Sequence, residues 1–333
     1  MGRAGMDYRM LFTVALVRAL DTRRLTPAQG DMLANSGSMD NFINILRDTG
    51  YRVFLETVGD IPYLQEMGRW RRDLLYDLVF RFSFDHDLVS LLTAEYDFHN
   101  IKMLLREKLF NLSIQEQGAG WGKMGLDFMR EVFAGEEYHL LPGEMEEAVR
   151  EGIEAYYIQK DIMAMDAAID NYCYKAMAVY GKNINSYFIR DHLVFRTDRE
   201  NIRTVLRALR RGENKNVVFQ CMIDSSKLPP HMLVESAFGE KGDLNSVLRE
   251  AGYGQLTAAV DKYNENPYIL EKTLAEIDGM LLRETDYQIN GGEPLYAYVL
   301  RVEHELSVLG AMGAMTMGKI DPEIIRNRIP QLW

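Results

Sequence analysis

Two phrases return in this chain at offsets of 202 and 101 residues, and that recurrence constrains the fold more tightly than composition does. Ile45-Leu46-Arg47-Asp48-Thr49-Gly50-Tyr51 comes back as Val247-Leu248-Arg249-Glu250-Ala251-Gly252-Tyr253. Asp97-Phe98-His99-Asn100-Ile101-Lys102 comes back as Asp198-Arg199-Glu200-Asn201-Ile202-Arg203. Met32-Leu33-Ala34-Asn35-Ser36 also matches Met232-Leu233-Val234-Glu235-Ser236. Weaker copies complete the set: Gly152 to Tyr156 for the Gly-Tyr phrase, and Glu305 to Leu309 for the acidic one. Tyrosines then stand at 51, 156 and 253, and acids at 97, 198 and 305, in the same order each time. Solenoid repeats run ~20–50 residues, so this period is too long for one, and each unit is of domain size. The reading is three helical repeats, 1–112 (its ends allowed to pack with the C-terminal unit), 113–215 and 216–333, gathered around a pseudo-threefold axis.

Apolar periodicity makes the units helical. Ile202, Val205, Leu206 and Leu209 fall at i, i+3, i+4 and i+7, one stripe on a helix. Ile101, Leu104, Leu105 and Leu109 nearly repeat it, and Leu295, Tyr298, Val299, Val302, Leu306 and Leu309 extend it over four turns. The best strand candidate, Tyr51 to Leu55, is short. The expected class is all-α, with helices over 5–20, 39–49, 60–82, 86–110, 143–158, 160–188, 198–211, 242–250, 267–285, 294–316 and 321–328. Glycine runs at 118–122 and 290–292 break the pattern, because glycine loses most backbone freedom in a helix. Pro294 suits the first turn of the helix that follows, where an N–H has no intrahelical partner.

Charge and composition exclude several classes. The net charge of −11, from 49 acids against 38 bases, opposes non-specific nucleic-acid binding, which needs cations to displace counterions. It equally opposes adhesion to anionic lipid by charge alone. Two cysteines, Cys173 and Cys221, make no disulfide framework and point to a reducing compartment. The sequon Asn111-Leu112-Ser113 then reads as a chance match. The apolar run from Met10 to Leu20 is about half the ~20 residues a spanning helix needs. A soluble chain is expected.

Catalytic patterns fail one by one. Gly118 to Met124 resembles a phosphate loop, but Gln117 and Met124 stand where a glycine and a hydroxyl are required, and no strand precedes it. No two of the six histidines share i, i+4 spacing. Glu136-Glu137-Tyr138-His139 supplies one Glu-x-x-His where a di-iron bundle needs two. Asp161, Asp166 and Asp170 do not fit a magnesium-binding diaspartate spacing; Asp166 and Asp170 share a face that meets water or a basic partner. No Gly-x-Ser-x-Gly elbow exists, and Cys173 between Tyr172 and Tyr174 reads as a small buried residue. No catalytic residue, cofactor or metal is expected. The repeated polar residues read as architectural. Asp97 with Asn100, and Asp198 with Asn201, are either polar groups buried where helices meet, with Arg47, Arg106, Arg207 and Arg249 as partners, or acids at a helix N-terminal turn.

At these phrases the chain resembles the C subunit of the rotary V/A-type ATPases, the prokaryotic relative of the eukaryotic d subunit. Glu95 to Lys102, Asp198 to Arg203, Pro294 to Tyr298, Glu303 to Leu306 and Pro322 to Arg326 carry the resemblance, which spans the whole length. The third copy departs from the pattern, with Val308 and Gly310 where Asn201 and Arg203 stand in the second. The resemblance implies a funnel of three helical domains on the cytoplasmic end of the membrane rotor ring. Its mouth receives the central shaft, the D and F subunits, and it passes torque to the proteolipid ring without binding nucleotide or translocating ions. The acidic balance suits a basic shaft tip. Tyr51, Tyr253, Asp97, Asn100, Arg106, Asp198, Asn201, Arg207 and Glu305 are its structural repeat residues. The N-terminal apolar helix reads as core before ring-facing surface. The competing classes are a helical enzyme with a pocket among the repeats, using Glu136, His139 or the Asp161–Asp170 face, and a generic helical scaffold.

Overall fold

A computed structural model of the chain describes residues 8–58, 64–110, 120–240 and 242–332. The described residues are helical and contain no strand. The helices are α1 (Tyr8–Asp21), α2 (Pro27–Ala34), α3 (Met39–Arg47), α4 (Arg52–Val58), α5 (Leu64–Phe82), α6 (His86–Phe110), α7 (Leu126–Gly135), α8 (Gly143–Gln159), α9 (Ile162–Asn183), α10 (Tyr187–Arg211), α11 (Lys215–Gln220), α12 (Pro230–Phe238), α13 (Leu244–Glu250), α14 (Thr257–Asp261), α15 (Tyr268–Leu282), α16 (Glu293–Met317) and α17 (Pro322–Arg328). Short 3₁₀ turns cover Tyr138–Leu140, Gly254–Leu256 and Arg283–Tyr287. The class is all-α, as the periodicity requires.

The chain folds as two compact units. One joins the residues up to Phe84 to those from Gly252 onward, and the other runs from Asp85 to Ala251. In the first, α16 forms the spine, with α1, α2, α3 and α5 packed on it. In the second, α9 packs along α8 and α6, and α10 packs against α9, α11 and α12.

Local chemistry sets the boundaries. Thr26 opens α2 with a reciprocal capping box: its hydroxyl accepts from the Gln29 N–H, and the Gln29 side chain accepts from the Thr26 N–H. Pro27, Pro230, Pro294 and Pro322 each occupy a first helical turn. Gly212 ends α10 in the left-handed region at φ 69°.

Several expected boundaries move. The helix expected over 198–211 begins eleven residues earlier, because Ser186 caps α10 by accepting the Ile189 N–H at 3.1 Å. Asp198 therefore sits mid-helix, and the N-terminal-turn reading of Asp97 and Asp198 is wrong. The same cap ends the run expected over 160–188, which stops at Asn183. The strand candidate at 51–55 enters α4, where Arg52 and Glu56 form an i, i+4 ion pair of 2.7 Å. The sequon at 111–113, residues 117–119 of the glycine-rich stretch, and the first residues of the helices expected at 5 and 60 lie outside the described residues.

Candidate functional site: three buried polar clamps

The three helices that carry the repeated acids are all 25 residues long. Asp97 is the twelfth residue of α6, Asp198 the twelfth of α10 and Glu305 the thirteenth of α16. Asp97, Asn100, Asp198, Asn201 and Glu305 are all at least 98% buried. A buried polar group with no partner costs roughly 1–3 kcal/mol, so the bonds at these sites matter.

Each long helix uses one such side chain to grip the backbone of a connecting segment that leads into a smaller helix. On α6, the Asp97 carboxylate accepts the N–H groups of Lys123 (3.0 Å) and Met124 (2.9 Å), shortly before α7. Gly122 is required there, because a Cβ would collide with the carboxylate. The Lys123 ammonium turns away to donate to the Ser90 hydroxyl at 2.7 Å. The stretch with the look of a phosphate loop thus turns its N–H groups onto an internal carboxylate. Burial pushes the Asp97 pKa up to about 6, although the Met124 and Lys123 N–H bonds and the Lys123 charge pull it down.

On α10, Asn201 does the gripping. Its amide donates to the Ile223 carbonyl at 2.7 Å and accepts the Ile223 N–H at 2.9 Å, ahead of α12. On α16, Glu305 accepts the Leu25 N–H at 2.8 Å, two residues before α2, and the Tyr51 hydroxyl at 2.5 Å. Burial raises the Glu305 pKa, opposed by the Tyr51 and Leu25 bonds and by the charges of Arg71 and Arg24. Tyr51 is itself pushed well above the usual phenol range, first by burial and then by the Glu305 charge. Arg71 donates to the Tyr298 hydroxyl at 3.3 Å beside this pair.

The two Gly-Tyr phrases place their tyrosines alike. Tyr51 and Tyr253 are both buried. Gly50 lies so close to the Arg23 carbonyl that a Cβ would sit 2.7 Å from its oxygen, whereas Gly252 takes φ 78°. The arginines behave differently from one another. Arg106 pairs with Asp166, and Lys102, one turn before it, pairs with Asp170, so these acids bind α6. Arg47, Arg207 and Arg249 are exposed. Glu136 is engaged by Lys108 at 2.7 Å, and Lys108 also donates to the Tyr138 hydroxyl at 3.0 Å. His139 is exposed. Among the described residues no group of three or more His, Cys, Asp and Glu side chains is placed to hold a metal.

Sequence reasoning missed Arg301. This buried guanidinium donates to the Leu282 carbonyl at 2.9 Å and meets Asp21 at 3.2 Å and Asp286 at 2.6 Å. It also missed the clamps' backbone partners, since a main-chain N–H leaves no mark in a sequence. No described helix is long and apolar enough to cross a membrane.

The profile of the family described as ATP synthase (C/AC39) subunit matches residues 13–328. The chain is 26% identical to the C subunit of the A-type ATP synthase of Desulfurococcus sp. (strain SY), covering 94% of this chain and 88% of that one. Against the C subunit of the A-type ATP synthase of Thermococcus kodakarensis the identity is 25%, covering 96% and 89%. Against the C subunit of the V-type sodium ATPase of Enterococcus hirae it is 18%, covering 96% and 97%.

Proposed function

The chain belongs to the family of ATP synthase (C/AC39) subunits, and from that premise we propose that it is the non-catalytic spacer of a V/A-type rotary ATPase. In this reading it is a socket between the central shaft, made of the D and F subunits, and the proteolipid ring, peripheral on the cytoplasmic face of the membrane. Its three helical repeats gather around a pseudo-threefold axis as a funnel, and it passes torque between ATP chemistry and proton or sodium movement. It binds no nucleotide, metal or nucleic acid.

The family match over residues 13–328 carries the reading. The clamps support its mechanical side. A torque-bearing spacer must resist internal shear, and each long helix is bonded through a buried side chain to backbone 22 or more residues away in the chain. A bond to main chain fixes position more firmly than one between two flexible side chains. The net charge of −11 supports a polar contact with a basic shaft tip.

The test is reconstitution with purified shaft subunits at rising salt. A polar socket gives binding that weakens as salt screens it. Binding that strengthens with salt overturns the polar contact, and absence of the chain from the purified ATPase overturns the assignment.

A further inference from the structure

The long helices α6 and α16 differ in what covers them. Counted from the clamp residues Asp97 and Glu305, Lys102 and Arg106 of α6 correspond to Gly310 and Ala314 of α16. In the unit of α6 a helix lies along that face: α9 packs on α8 and along α6, and Lys102 and Arg106 take its Asp170 and Asp166. In the unit of α16, α3 and α5 take the two flanks. They make no comparable contact with each other, and α3 has 9 residues where α8 has 17.

The result is a groove of about 940 Å³ between α3, α5 and α16. Its floor is the α16 stripe Ser307, Gly310, Ala311, Ala314 and Met317, all exposed. The stripe spans eleven residues, ten steps of 1.5 Å or about 15 Å, nearly three helical turns. Small floor residues allow an incoming helix to approach to the short end of the usual 8–10 Å interaxial range. The α3 wall carries Asp40 at one end and Arg47 at the other, both exposed, and neither has an ion-pair partner among the described residues.

We propose that this groove seats an amphipathic helix of a partner protein, apolar toward α16, with a basic and an acidic residue two turns apart to meet Asp40 and Arg47. On α6 the helix α9 shows which kind of element completes such a site, a helix lying along the long helix. The open ends of α3 supply the charge pattern that the occupant must match. The proposal rests on the family reading only in placing the partner within the ATPase assembly.

The experiment is photocrosslinking from p-benzoyl-phenylalanine placed at Ala314 in the assembled ATPase, with peptides identified by mass spectrometry. The expected result is a crosslink to a single helical segment of another protein of the complex bearing that charge spacing. Ala311→Trp, at an exposed position, is expected to weaken retention in the complex at least tenfold with unchanged circular dichroism, and Arg47→Glu to weaken it in the same direction. Crosslinks confined to this chain, or an Ala311→Trp protein retained like wild type, overturn the proposal while leaving the family reading standing. Absence of the unmodified chain from the purified ATPase overturns both.

Discussion

Asn201 and Ile223 are joined through two hydrogen bonds at once, the side-chain amide donating to the carbonyl at 2.7 Å and accepting from the N–H at 2.9 Å. An amide is the one side-chain group that matches both halves of a peptide unit. Asn201→Asp removes the donor and sets a carboxylate against a carbonyl in a buried site. It is expected to destabilise the chain by about 1–3 kcal/mol, measured by chemical denaturation. Arg207→Gln, at an exposed position on the same helix, is the control and is expected to stay within about 0.5 kcal/mol. Equal stability of wild type and Asn201→Asp would remove the clamp from the account.

The Glu305–Tyr51 pair predicts a dependence on pH. The Tyr51 hydroxyl holds the Glu305 pKa down against the burial that raises it. Tyr51→Phe removes that bond and lifts the Glu305 value further. A carboxyl whose folded pKa is raised favours the folded state at low pH, and this contribution is lost as pH rises through the folded value. Tyr51→Phe is therefore expected to cost more at pH 7.5 than at pH 5, by denaturation at both. Glu305→Gln is milder, because the Tyr51 hydroxyl can reverse and accept from the new amide while the Leu25 N–H keeps its oxygen. A Tyr51→Phe penalty independent of pH would rule out this coupling.

The class and the long helices were legible because a three-to-four residue apolar period is a direct imprint of burial; residues 86–110 form one helix with the bounds that the period marks. Asp198 stands far from its helix start because Ser186, a single hydroxyl, decides that boundary and generates no periodicity. The repeat residues stood out as types. What they grip did not, since Lys123, Met124, Ile223 and Leu25 act through main-chain groups that any residue possesses. Distance in sequence hid the rest: Glu305 reaches back 280 residues to Leu25, and Arg301 as far to Asp21.

Gly122 and Gly120 separate close approach from mere flexibility. A Cβ at Gly122 meets the Asp97 carboxylate, whereas one at Gly120 has nothing within 4 Å. Gly122→Ala is expected to break the clamp and cost about 1–3 kcal/mol, with faster amide exchange at Lys123 and Met124. Gly120→Ala is expected to leave both unchanged. Matching exchange in the two variants would show that the turn does not depend on contact with Asp97.

Asp97 itself gives the sharpest pH test. Its folded pKa of about 6 stands above the ordinary value of 3.8, with burial as the main cause. The folded chain therefore holds this proton more tightly than the unfolded chain. The stability tied to it is fully present below about pH 4 and is lost as pH rises through about 6. At about 1.4 kcal/mol per pKa unit, the loss is on the order of 3 kcal/mol across that window. Asp97→Asn cannot ionise. It also sets an NH₂ group against one of the two backbone N–H donors, so it is less stable than wild type at pH 4. Wild-type stability, followed by urea denaturation from pH 4 to 7, is expected to fall more steeply than that of Asp97→Asn, and the gap between the two proteins to narrow. Parallel pH profiles would mean that the carboxylate is solvated, and the clamp on Lys123 and Met124 would then have to be open in solution.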